Sequence, residues 1–318
     1  MIGQTPSTSS ESTVATETGS YRHLFTPHVR YPLLLAIDND DNAPAAIELT
    51  AALGDRGAEP TVLRSVPLMN PVPGNPAEAT FGFTQAALGT DFLQEQENII
   101  GYIIRETLDG ESPWPIKSVV GEPASTIVAE AEEHHAELLV MGVHFHGKFA
   151  QALGKNTASR VMTQASMPVI GVRPHTTQLP RRIMVATDFG KSSWEGAHIA
   201  ANLVNPGGTI VIAYVSWPIA MVDESDEGAA LVKSEGIQRV YERLADELKT
   251  GKPIQVELVT REGDAATELL GIAEQVDPDM IASASQRHRL LTRMFLGSVC
   301  RQLVREGRWS MLVTPPVG

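Results

Sequence analysis

The sequence predicts an α/β protein made of two tandem domains, each a doubly wound, five-stranded parallel sheet. Short apolar runs alternate with segments of helical periodicity along nearly the whole chain, which implies right-handed crossovers and a sheet covered on both faces. The pattern also occurs twice. VVGEPASTIVAEAEEHHAELLVMGVH from Val119 and VTREGDAATELLGIAEQVDPDMIASASQ from Val259 align with Gly121 and Gly263 placed 142 positions apart. The same offset carries Gly142 to Ala284, Lys155 to Gly297 and Met167 to Trp309. LLLAIDNDD at Leu33 and IMVATDFGK at Ile183 match as well, with Asp38 and Asp188 150 positions apart, so the units differ by one internal insertion. A period this long marks tandem globular domains rather than a solenoid. The 318 residues and 42% hydrophobic content fill two ordinary cores.

Each element has its own signal. Tyr31 to Ile37 is an apolar run that ends at Asp38, a buried strand reaching a turn. Ala46, Ile47, Leu49 and Leu53 stand at helical spacing over 42–53, closed by Gly54. Strand 61–66 leads into the Pro/Gly-rich MNPVPGNPAEATFGF, a surface loop. A long helix over 84–108, strand 116–120, helix 124–133, strand 138–142, helix 156–165 and strand 168–172 complete the first unit. The second repeats the order: strand 183–187, helix 192–204, strand 209–215, helix 229–248, strand 254–260, helix 265–276, strand 280–283, helix 298–305 and strand 310–314. The domains are expected at 31–174 and 181–316, joined by a short linker. Ligands of such sheets sit at the carboxyl ends of strands, where strand order reverses. Asp38, Gly142, Asp188 and Ala284 all fall at such ends.

Composition excludes several classes. A net charge of −13 argues against general affinity for nucleic acid or anionic membranes. The single Cys300 makes no internal disulfide and no thiolate metal cluster, which fits a reducing, cytoplasmic setting. No apolar run approaches the roughly 20 residues of a membrane span. The start, MIGQTPSTSSESTVATETGS, has no basic n-region or apolar h-region and is not a signal peptide. Its poverty in apolar residues predicts a disordered tail over 1–30, docked in part from Tyr21 onward.

AID at Ala36 and ATD at Ala186, GEP at Gly121 and EGD at Glu262, ELLVMGVH at Glu137 and LGSVCRQLVREGRWSMLVTP at Leu296 occur in order in both halves. In these pieces the chain resembles the universal stress protein family in its tandem form, from Tyr31 to Pro316. The resemblance implies a Rossmann-like fold of the adenine nucleotide α-hydrolase kind, an adenine-nucleotide pocket in some members, and pairing of domains through their last strands. Nucleotide-binding members carry G-x2-G-x9-G-S/T between strand four and the last helix. Glycines there let backbone approach ribose and phosphate, and the helix start attracts phosphate. An aspartate at the end of strand one sits near the adenosine.

Both loops depart from that pattern. The second keeps Gly297 and Ser298, but Ala284 and Arg287 replace the earlier glycines. The first keeps Gly142, with Phe145 at the second position and Lys155-Asn156 at the end; a rival register recruits Gly147 and Gly154. Candidate nucleotide-binding residues are therefore Ala36, Asp38, Gly142, Gly154 and Asn156 in the first unit. Those of the second are Ala186, Asp188, Arg287, Gly297 and Ser298. Each has a structural alternative: Asp38 and Asp188 as caps of the following helices, Gly142 as strand-to-loop geometry, Gly297-Ser298 as a helix start. RHRLLTR at Arg287, with Arg301, Lys148 and Lys155, reads either as a side-chain anion clamp or as a solvated basic loop. His144 and His146 lack the companions of a metal site. No nucleophile elbow, phosphate-binding P-loop or HExxH is present, and no catalytic residue is assigned.

The expected function is a stress-response regulatory or binding module with degenerate nucleotide loops, at most a weak ATPase. The alternative is an ATP-binding protein with slow hydrolysis or nucleotide-gated switching. The cofactor in view is ATP or another adenine nucleotide, with Mg only as its companion. The domains are expected to form a pseudo-dimer within the chain through Pro168–Val172 and Ser310–Thr314. The long helices are left for a homodimer or another protein partner, and no nucleic acid or membrane is implicated.

Overall fold

The structure, a computed structural model, describes residues 20–26, 28–38, 40–66, 89–110, 113–143, 157–176, 178–216, 227–287, 294–295, 297–306 and 308–317. The first half runs β1 (Tyr31–Ala36), α1 (Ala43–Gly54), β2 (Ala58–Val66), α2 (Gly89–Leu108), β3 (Ile116–Val120), α3 (Pro123–Glu133), β4 (Leu138–Gly142), α4 (Thr157–Gln164) and β5 (Val169–Val172). The second runs β6 (Arg182–Thr187), α5 (Lys191–Leu203), β7 (Thr209–Ser216), α6 (Glu227–Lys249), β8 (Gln255–Glu262), α7 (Ala265–Val276) and β9 (Met280–Ala284). It continues through β10 (Gln286–Arg287), β11 (Met294–Phe295), α8 (Ser298–Glu306) and β12 (Ser310–Thr314). The Pro/Gly-rich loop after β2 lies outside the described residues.

Ten strands form one sheet in the order β3-β2-β1-β4-β5-β12-β9-β6-β7-β8. All neighbours within a half are parallel. The halves join where β5 and β12 pair antiparallel, Ile170 opposite Leu312. Because side chains alternate across a strand, each strand feeds two cores. Leu33, Leu35, Ile183, Val185 and Leu312 pack with α1, α2, α5 and α6 on one face. Leu34, Ala36, Met184, Ala186 and Met311 pack with α3, α4, α7 and α8 on the other. Each core draws residues from both halves.

The helix starts follow local chemistry. Glu122 caps α3, accepting the N–H groups of Ala124 (3.3 Å) and Ser125 (3.1 Å). Partial burial alone would raise its pKa, but hydrogen bonds from Ser125, Arg160 and Ala124 outweigh that and hold it down at about 2. Its counterpart 142 positions on, Asp264, caps α7 by accepting from Thr267 N (3.0 Å) and Oγ1 (2.7 Å). The acidic residue of both GEP and EGD is thus a helix cap. Gly57 follows α1 with φ +92°, and a Cβ there would lie 1.9 Å from the Val29 carbonyl oxygen. Only glycine fits between that turn and the incoming chain.

That incoming chain is packed from Ser20. Leu24 and Phe25 are buried among α1 and α5 residues of the first core, and the Phe25 ring meets Tyr31 edge-on at 5.7 Å. Glu195 of α5, itself buried, accepts from Ser20 Oγ (2.9 Å), Tyr21 N (2.8 Å) and Arg22 Nε (2.7 Å). Asn202 Nδ2 donates to the carbonyls of Arg22 (2.8 Å) and Leu24 (3.0 Å). Toward the first half, His23 pairs with Glu137, and Tyr21 Oη donates to the Ser166 carbonyl at 2.9 Å. This strap therefore bonds to both halves.

Candidate functional site

In the first half, β1 runs between β2 and β4, with Ala36 opposite Leu63 and Met141. Asp38 lies two residues beyond the strand. Its Oδ1 stands 3.1 Å from Nη2 of Arg64, which rises from β2 and is 15% exposed. The buried Nε and Nη1 of Arg64 have no hydrogen-bond partner, so the Asp38 contact answers only part of a desolvated cation. Asp40 Oδ1 accepts the N–H of Asn42 at 2.9 Å, and Asn42 is buried at the start of α1. Gly142, the last residue of β4, comes against it: a Cβ at 142 would lie 3.1 Å from the Asn42 Cβ. Gly154 and Asn156, with His144, His146, Lys148 and Lys155, lie outside the described residues.

In the second half, Ala186 sits in β6 opposite Ala213 and Ser283. Asp188 follows the strand and folds back on its own turn. Its Oδ1 accepts Gly190 N at 2.8 Å and Ser193 Oγ at 2.7 Å. Between them Phe189 adopts φ +56° and sets its ring 5.2 Å from Tyr214 of β7. The carboxylate closes the turn that opens α5, as helix-initiating carboxylates do.

Beyond β9, Ser285 bonds to the Thr314 carbonyl through N (2.8 Å) and Oγ (3.2 Å). The chain then forms an antiparallel ribbon, with Gln286 opposite Phe295 and Arg287 opposite Met294. This ribbon occupies the stretch where a nucleotide-binding member carries its first glycines, and β11 lies against α4 of the other half. Nothing in RHRLLTR signals it, because a strand of two residues has no readable period. Gly297 O accepts Arg301 N at 2.9 Å, so Gly297 caps α8 and exposed Ser298 begins it. Behind the crevice, burial pushes the Cys300 thiol up to about 12, against a smaller opposite effect of its hydrogen bond with Ser283. It is an inert packing group.

The structure thus places Ala36, Asp38 and Gly142 around the end of β1 and β4, and Ala186 and Asp188 at the corresponding end of β6. Arg287 falls in the ribbon, and Gly297 and Ser298 at the start of α8. Sequence reasoning missed Arg64, Asn42, Phe189 and Tyr214, which come to these ends from adjoining strands and turns. Among the described residues, no group of three or more His, Cys, Asp or Glu is placed to hold a metal ion. No described helix is long and apolar enough to cross a membrane.

Known structures share this architecture. The chain is similar to a universal stress protein from Archaeoglobus fulgidus DSM 4304, at 19% identity and a TM-score of 0.61 over 92% of this chain and 98% of that one. It is also similar to a protein from Pseudomonas aeruginosa PAO1 described as functionally unknown, at 15% identity and a TM-score of 0.57 over 91% and 93%. A shorter universal stress protein from Archaeoglobus fulgidus, solved in complex with dAMP, matches 45% of this chain at 21% identity and a TM-score of 0.29. No curated protein matches in sequence. The profile of the universal stress protein family matches twice, over residues 31–173 and 180–315. The chain belongs to the universal stress protein family, as a tandem member with two copies of the family's domain.

Proposed function

We propose that this protein is a non-enzymatic regulatory binding module in which both ancestral nucleotide crevices are reduced. The observation that carries this reading is the engagement of both strand-end aspartates by the chain itself. Asp38 pairs with Arg64, a largely buried side chain of β2, at 3.1 Å. Asp188 gives its Oδ1 to Gly190 and Ser193. A nucleoside bound at either end shares a carboxylate already oriented by these contacts, and any reorganisation of them subtracts from affinity. The ribbon of β10 and β11 supports the same reading, since one of its two opposed pairs turns its N–H groups to the facing strand rather than toward a phosphate. Exposed Tyr102 of α2 and Val240 of α6 favour the long helices as the surface for a second copy or another protein.

Isothermal titration with ATP, ADP and AMP tests the proposal. The expected outcome is binding no tighter than about 1 mM, roughly −4 kcal/mol. Micromolar affinity at two sites per chain overturns it.

One feature favours a second reading for the second half alone. Gly297 and Ser298 still open α8, the arrangement that would receive a phosphate. On that reading one adenine nucleotide binds per chain, and Gly297→Val abolishes binding while Asp38→Ala does not.

A further inference from the structure

Glu195, His198 and Asn202 of α5 are spaced three and four residues apart and so form one stripe along the helix. The outer two hold the strap. Glu195 accepts from Ser20, Tyr21 and Arg22, and Asn202 donates to the carbonyls of Arg22 and Leu24. His198 therefore lies between the two anchors of the strap, and its side chain is only 13% exposed.

Two cations face this imidazole. Arg22 approaches it from the strap and Lys252 from the turn after α6, and both act against a positive charge on the ring. Glu247 of α6 is the opposing group, 3.3 Å from His198 Nε2. That carboxylate is shared, for it also accepts from Trp194 Nε1 at 3.0 Å and from Arg243 Nε at 3.2 Å. Its hydrogen bonds, that from Trp194 foremost, hold its pKa down. It stays an acceptor and fixes the Nε2–H tautomer of the neutral ring, so a further proton goes to Nδ1. Glu195, one turn earlier on α5, is already paired with Arg22 at 2.7 Å. Burial first, and then Arg22, hold the His198 pKa below its ordinary value, with Lys252 adding to them and Glu247 opposing.

We propose that the strap is an acid-released latch, in which protonation of His198 sets a third cation beside Arg22 and Lys252 and drives Ser20–Phe25 off α5. With the strap displaced, the ring gains water and loses Arg22 as a neighbour, so it takes a proton more readily. Docking is therefore complete above the ordinary imidazole pKa of about 6.5 and weakens as pH falls below it. One proton changes the equilibrium by at most about tenfold per pH unit. Release breaks contacts to both halves, because His23 pairs with Glu137 and Tyr21 with the Ser166 carbonyl of the first half. It also uncovers Glu195 and the core contacts of Leu24 and Phe25. The latch answers to proton concentration whether or not either crevice binds a nucleotide.

Hydrogen exchange of the full-length protein, corrected for the pH dependence of the chemical step, tests the latch. The reporters are the amides of Tyr21, bonded to Glu195 Oε1 at 2.8 Å, and Leu24, bonded to the Tyr21 carbonyl at 3.1 Å. Their protection should fall roughly three- to tenfold between about pH 7.5 and about pH 5.5. His198→Gln should flatten that response. His23→Gln, which removes the imidazole of the strap itself, should keep it. If the His198 variant fails to fold, the ring of the parent serves instead. Its NMR titration midpoint should rise in Arg22→Gln, a substitution at a half-exposed side chain. Protection independent of pH in the parent, an undiminished response in His198→Gln, loss of the response in His23→Gln, or an unmoved midpoint in Arg22→Gln overturns the proposal.

Discussion

A methyl group added at Gly142 has nowhere to go without moving Asn42, whose Cβ would be 3.1 Å away. Gly142→Ala is therefore expected to destabilise the protein by about 1–3 kcal/mol, the usual cost of forcing a carbon into a packed site. The second half has Ala284 where Gly142 stands and Ser192 where Asn42 stands. Asn42→Gly removes the opposing Cβ, so in the Gly142→Ala background it should recover part of the loss. Urea unfolding of the four variants checks this, and strict additivity of the two substitutions would contradict it. The sequence read Gly142 correctly as a strand end, yet Asn42 lies far away along the chain and no local pattern names it. Asp188 was more legible, because the donors it accepts from are two and five residues ahead. The Arg64 contact of Asp38 depends on how β2 lies beside β1, which becomes visible only in the folded sheet.

Elements were legible in proportion to their length. The helical stripes of α1 and α7 and the apolar runs of the central strands announce themselves, since burial imposes a period on every turn or pleat. The strap and the β10–β11 ribbon carry no period. Leu24 and Phe25 are two apolar residues in a polar stretch, and their burial depends on core partners brought to them only by the fold, Tyr31 among them. For that reason Phe25→Ala is expected to lose about 3–5 kcal/mol, as for other buried aromatics, although it lies before the first strand. Equilibrium denaturation reports it. A change within about 0.5 kcal/mol, the range of unremarkable surface substitutions, would mean that the strap contributes nothing to stability. The buried Glu195 sharpens the point: with the strap displaced, its carboxylate loses three donors at once.

At the scale of the molecule, the two five-stranded units meet through their last strands and form one sheet. The β5–β12 pairing makes the ten strands continuous, and both cores run through the seam. Heating should therefore melt the protein in a single calorimetric transition, with matching calorimetric and van't Hoff enthalpies; two resolved peaks would show that the halves unfold separately. The repeat was visible because duplication copies residues, whereas the ribbon and the strap lie where the two copies cease to agree. An assembly of identical subunits must mirror every substitution across its dyad. Fusion lifts that obligation. The strap from Ser20 runs between Glu195 of α5 and the Ser166 carbonyl, a set of bonds that the second copy, entered through the linker, has no obligation to repeat. Joining the two copies thus keeps their common architecture while letting one of them carry a contact that the other does without.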